Sequence, residues 1–299
     1  MKPMRPLPAI LLFTLAVLLG GALLAPGLYW LAQHLLPGSR LAANPFHRYV
    51  DRSLLIVALL GIRALLGQLG AVGWRAVGWV PGRGQGRRFA AGVGLGLISL
   101  AVVAVAVVAA HAREWHPPAP GELALKLLGA ALTAIVVAAV EETLFRGAVF
   151  GALRRGGDWR VAAVVSSVVY AFVHFFQKSE WIGPVTWSAG LELLPRMMRG
   201  FVDGPVLVPG FFSLTLAGLL LALAFQRTGN LWFSFGLHSG WIFWLKTYGL
   251  LTRAVPGANR PWFGTEKMVD GWLALLVLGM AGAILLTVWR SPAPPPEAK

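Results

Sequence analysis

Four ionisable side chains interrupt runs of apolar residues: Glu141 and Glu142 in "IVVAAVEETLFRG", His174 in "VVYAFVHFF" and His238 in "FSFGLHSGWI". A charged side chain at hydrocarbon depth costs about 2.5–3.5 kcal/mol even on lenient insertion scales, so such groups pair with one another or do chemistry. A carboxylate and two imidazoles in a dry site suit hydrolysis by water. Burial brings a carboxyl group toward the range where it works as a general base or acid near neutral pH. One imidazole then orients or activates the water, and another donates a hydrogen bond to the oxyanion of the tetrahedral intermediate. The trio Glu141, His174 and His238 equally suits a His2Glu site for a divalent metal such as zinc, which would acidify a bound water. The residues alone leave both routes open. HExxH is absent, which excludes the common soluble zinc-protease arrangement. Cysteine is absent too, which excludes disulfides, a thiolate nucleophile and a Cys-ligated metal.

Helical spacing gives the two adjacent glutamates different partners. Glu142 and Arg146 are four residues apart, on one face and in the favourable order for an ion pair. Glu141 is turned about 100° away at roughly 3.6 residues per turn, out of easy reach of that arginine. Glu142 and Arg146 are therefore assigned a structural role, and Glu141 is left to face the site. Tyr170, one turn before His174, either orients that ring or simply packs. Ser166, Ser167, Ser234 and Ser239 are poor candidates for a nucleophile, because small hydroxyls in apolar helices bond back to their own backbone. Lys246 is read as reaching along its helix toward the surface.

These residues need elements to hold them at lipid depth. Of the 299 residues, 57% are hydrophobic and 13% charged. Eight apolar runs are long enough to approach a membrane span: 8–35, 53–73, 89–110, 123–150, 161–177, 207–225, 231–250 and 271–289. Strand alternation is missing, which leaves helices as the way to satisfy the backbone in lipid. The expected fold is all-α: a polytopic transmembrane bundle of about eight helices around a central cavity. It is read as one domain over 1–290, with the chemistry in a core of about 120–250 and a Pro-rich disordered tail at 291–299. The first run has a basic flank but no clear small-residue cleavage site, and is read as an uncleaved anchor. Counted at 1.5 Å per residue from the expected helix ends, Glu141 comes out ~18 Å deep, His174 ~20 Å and His238 ~10 Å. The longest connection, 178–206, mixes Trp181, Trp187, Met197, Met198 and Phe201 with charges. It reads as an interfacial helix or lid, or as an ordinary loop.

The net charge of +14 does not call for nucleic acid. With the N-terminus inside, the cytoplasmic segments hold twelve Lys and Arg and the opposite side ten, and "GRGQGRR" (82–88) is the densest basic stretch. Both termini are placed in the cytoplasm, with the basic loops facing anionic lipid of the bilayer, in what reads as a bacterial inner membrane.

These residues resemble the CPBP family, the CAAX-protease and bacteriocin-processing (Abi-type) intramembrane proteases, over roughly 120–250. Glu141, Glu142 and Arg146 match the family's EExxxR. Tyr170 to His174 match its FxxxH, with Tyr for Phe. His238 matches its third motif, a histidine followed four residues on by asparagine, but Ile242 stands at the asparagine position. The resemblance implies that Glu141 and His174 activate water and that His238 supports the oxyanion. The implied partners are membrane-tethered peptide or protein substrates, with prenylated CAAX peptides, bacteriocin leaders and C-terminal sorting tails all open. The cofactor is either none or a divalent metal bound by Glu141, His174 and His238. A non-catalytic scaffold or binding protein that keeps the fold is the alternative, motivated by Ile242. A transporter would need the internal repeat that is missing here.

Overall fold

The structure, a computed structural model, describes residues 6–71, 73–176, 179–198 and 204–288. The tail at 291–299 lies outside the described residues. Each of the eight apolar runs is helical over most of its length, and the described residues form ten helices with one two-stranded ribbon. Four helices are long and apolar enough to cross a membrane: α1 (Pro6–Leu35), α3 (Gln85–Ala109), α4 (Pro120–Arg155) and α7 (Gly204–Thr228). α5 (Trp159–Val173) and α10 (Trp272–Val288) are apolar but shorter. The remaining helices are α2 (Phe46–Gln68), α6 (Ala189–Met197), α8 (Trp232–Leu251) and the single turn α9 (Arg260–Phe263). The run 161–177 is therefore helical only to Val173.

The chain packs as two compact units, Met1–Val72 with Val173–Asp203, and Gly73–Phe172 with Gly204–Lys299. In the first, α1 and α2 approach until a Cβ on Gly21 would lie 2.7 Å from the Leu54 Cα. α6, inside the long connection, seats Gly190 directly on the Ala22 carbonyl. Its Ala189, Leu193 and Met197, spaced by four, bury into a cluster with Phe46, Tyr49 and Val50. Tyr29 stands edge-on to Phe46 and Tyr49 at 5.7 and 5.3 Å, and the Tyr49 hydroxyl donates to the Leu41 carbonyl at 2.6 Å.

The second unit is organised on α8. Every residue from Phe233 to Ile242 is buried, so this helix faces protein on all sides. That explains why a segment with His238, Ser234, Ser239 and Thr247 is too polar to pass as a lipid-facing span. Lipid-facing character shows instead on α3 (Ile98, Val102, Val105) and α4 (Leu125, Leu128, Leu132, Val136), whose apolar side chains are exposed. α3 crosses α8 at four glycines. A Cβ on Gly92 or Gly96 would meet the carbonyls of Phe233 and Leu237, and one on Gly236 or Gly240 the carbonyls of Phe89 and Val93. Small residues let the backbones touch, which is how apolar helices gain packing energy without a hydrophobic drive. α4 lies against the next face of α8 through Ala134 and Ala138, which cluster with Phe235 and Ile242. Beyond the ends of α3 and α8, β1 (Arg113–Trp115) pairs antiparallel with β2 (Thr252–Ala254). The buried Arg113 locks that ribbon through the Thr252 hydroxyl at 2.7 Å and the Thr252 carbonyl at 2.9 Å.

This crossing makes a sharp comparison. Gly236→Leu should lose at least about 1–3 kcal/mol through overpacking. Gly94→Leu, with nothing within 4 Å of its Cβ, should be nearly neutral. Unfolding of the detergent-solubilised variants measures both, and equal losses would remove the glycine crossing as the reason for the packing.

Candidate active site

α4 does not stay α-helical. From Glu142 to Phe150 it winds as a π-helix, with hydrogen bonds reaching five residues instead of four, before an α-helical last turn. Local contacts accompany the change. The Thr143 hydroxyl bonds back to the Ala139 carbonyl at 2.7 Å and receives the Trp79 indole N–H at 2.9 Å. Gly147 is pressed onto Val77, where a Cβ would sit 2.5 Å from the carbonyl oxygen. π segments of this kind concentrate at functional sites. The uniform α spacing assumed for the two glutamates is thereby corrected: Glu141 is the last α residue and Glu142 the first π residue.

Glu142 is completely buried, and its Oε1 lies 3.2 Å from Arg146 Nη1. The same oxygen lies 3.0 Å from Nδ1 of His238, which α8 delivers from almost a hundred residues further on. A carboxylate can only accept, so the imidazole carries its proton on Nδ1 and donates it to Glu142. The other ring nitrogen, Nε2, is 3.2 Å from the Tyr170 hydroxyl and 3.6 Å from Glu141 Oε2. His238 thus stands between two carboxylates, the inner one sealed and the outer one, Glu141, 23% exposed. Arg146 is covered by aromatic rings, its guanidinium 4.4 Å from the Tyr170 centroid and 5.9 Å from that of Phe145. Phe145 and Tyr170 meet edge to face at 5.2 Å. The four charged or chargeable groups sum to zero when the imidazole holds both protons and to −1 when it holds one.

Spacing predicted the Glu142–Arg146 contact but gave no hint of the Glu142–His238 contact, which joins helices distant in sequence. His238 reaches this level because α8 starts inside the protein. Asn230 and Leu231 are buried, the Leu231 N–H donates to Gly78 at 2.9 Å, and the Trp232 indole donates to Val80 at 3.1 Å. His238 Nε2 lies 3.6 Å from Glu141, so the two side chains share one level, which separate counts from two helix ends did not give. His174 falls in the other compact unit, in the turn just after α5, with its side chain exposed. Ile242 is buried in the apolar cluster between α4 and α8. The neighbouring Trp241 donates its indole N–H to Ser99 at 3.0 Å. Ser166, Ser234 and Ser239 each bond to a carbonyl of their own helix or its cap, at 3.2, 3.1 and 2.7 Å. Among the described residues, no three His, Asp or Glu side chains are placed to hold a metal ion. Both nitrogens of His238 already face partners, Nδ1 the Glu142 carboxylate and Nε2 the Tyr170 hydroxyl and Glu141.

Residues 123–244 match the family model for type II CAAX prenyl endopeptidase Rce1-like proteins. No curated protein and no solved structure matches the chain. The segment that builds the Glu141, Glu142 and His238 cluster is a domain of the CAAX-protease and bacteriocin-processing family, and the protein is an intramembrane protease.

Removing Arg146 should expose how strongly the cluster is coupled. Arg146→Met leaves a fully buried carboxylate without its cation, and a loss of about 3–5 kcal/mol is expected. Adding Glu142→Gln to that variant should recover part of it. Denaturation of the purified variants checks this, and a single variant as stable as the parent would show that the pair is not a buried ion pair.

Proposed function

We propose that the protein hydrolyses peptide bonds of membrane-tethered substrates with water activated by Glu141, while His238 holds the oxyanion. The observation that carries this reading is the clamp on His238, whose Nδ1 is fixed by the buried Glu142 and whose Nε2 is turned toward Glu141. Glu141, the more exposed of the two carboxylates, takes a proton from water as the water oxygen bonds to the scissile carbonyl carbon. The carbonyl electron pair moves onto oxygen, where preorganised donors stabilise it. In its doubly protonated form His238 donates from Nε2, its Nδ1–H being held by Glu142. The C–N bond then breaks, and the proton on Glu141 passes to the leaving nitrogen. Tyr170 supplies the second donor that Ile242 lacks, its hydroxyl lying beside Nε2. The side chain that departs from the family motif at one position thus compensates for a departure at another.

The arginines at the start of α3 and at the ends of α4 and α7 support a cytoplasmic placement of those helix ends, and both termini are proposed to lie on the same side, in a bacterial inner membrane.

Cleavage of a membrane-tethered reporter peptide by the purified protein tests the roles separately. Glu141→Gln should fold and lose about 10²–10⁴-fold in rate. Tyr170→Phe should lose up to about 10²-fold. Chelation should leave the parent rate unchanged. Full activity in Glu141→Gln would remove the general base from the scheme, and loss on chelation restored by zinc would establish the metal route. An inert parent with intact partner binding would establish the scaffold reading that Ile242 motivates.

A further inference from the structure

Away from the His238 cluster, four arginines from distant parts of the sequence converge on a single cavity of about 710 Å³ in the second unit. Arg87 and Arg88 come from the start of α3, Arg83 from the turn just before it, and Arg227 from the end of α7. Among the described residues, none of those lining the cavity carries a carboxylate. Gln85 braces the cluster, donating to the Val80 carbonyl at 2.9 Å and accepting from Arg88 at 3.2 Å. The α3 N-terminus opens beside it, capped only by Gly84 in the left-handed region (φ 84°) with no side chain on the first-turn amides. Guanidinium groups favour bidentate contact with phosphate oxygens, and the helix end adds to the same field.

The opposite wall is apolar. Leu95, just over two turns along α3 from Arg87, and Ile284, exposed on α10, continue the cavity toward the hydrocarbon-facing surface of those helices. A free phosphate would occupy the arginines and leave this wall bare. A molecule with an anionic phosphate head and a hydrocarbon tail covers both, and the volume is in the range of ligand sites. We propose that this cavity is a binding site for an anionic phospholipid, with the phosphate on Arg83, Arg87, Arg88 and Arg227 and an acyl chain along Leu95 and Ile284. The site is separate from the peptidase residues, and its binding does not depend on their activity.

The experiment is native mass spectrometry and thermal unfolding of the purified protein with phosphatidylglycerol or phosphatidylcholine. Phosphatidylglycerol should be retained and should raise the unfolding temperature in a saturable way, and phosphatidylcholine should not. The triple variant Arg83→Gln, Arg87→Gln, Arg88→Gln should weaken retention about a hundredfold, or about fivefold per arginine, which corresponds to about 1 kcal/mol each. Arg253→Gln, Arg260→Gln, Lys267→Gln removes equal charge elsewhere and should retain lipid. If the first triple variant is unstable, Arg87→Gln alone should give the fivefold loss. Ile284→Asn should weaken lipid retention and leave any binding of inorganic phosphate unchanged. Equal binding of the two lipids, unchanged retention in the arginine variants, or stabilisation by inorganic phosphate equal to that by lipid would each overturn the proposal.

Discussion

A carboxylate with no solvent exposure is the constraint around which this site is built. Glu142 sits where an unpaired charge would cost several kcal/mol, and two groups offset that cost. Arg146 supplies charge from the same helix, and the His238 N–H supplies a hydrogen bond from another. The ion pair therefore also aims an imidazole. It fixes which ring nitrogen is protonated and turns the other toward Glu141 and Tyr170. The rest of the second unit serves that alignment. The glycine crossing holds α8 against α3, and the alanine seam holds α4 against α8. The buried turn at Asn230 and Leu231 sets the level at which α8 begins.

Two adjacent glutamates have different surroundings because neighbours on a helix point about 100° apart, at the place where α4 passes into its π segment. One side chain is enclosed with an arginine under aromatic rings, and the next remains partly open. Chemistry that needs one carboxylate to hold and one to exchange protons is served by this division. It sits at a local change of backbone geometry, for which the Trp79–Thr143 and Gly147–Val77 contacts provide the surroundings.

Much of the fold was legible in the amino-acid sequence because the bilayer leaves the backbone few options. Long apolar runs must be helices, and each of the eight is helical over most of its length. The contact of Glu142 with Arg146 was legible because it lies within one helix turn. The bond from Glu142 to His238 was not, since it depends on how α4 and α8 pack. The π-helix was not legible either, because residue spacing presupposes the winding it would need to reveal. That Glu141 and His238 share one level was not legible for a related reason: counting from separate helix ends presupposes where each helix begins, and α8 begins at a buried turn. Polarity in α8 made it look like an ordinary span with odd residues, whereas its hydroxyls, indoles and histidine are facing protein.

The central claim is that Glu142 sets the tautomer of His238, and histidine-selective ¹⁵N NMR of the detergent-solubilised protein measures it directly, with His238→Gln identifying the resonances. The account predicts a proton on Nδ1 that is lost or weakened in Glu142→Gln. A His238 ring protonated on Nε2 alone, with a bare Nδ1 facing Glu142 and no response to that substitution, would contradict it.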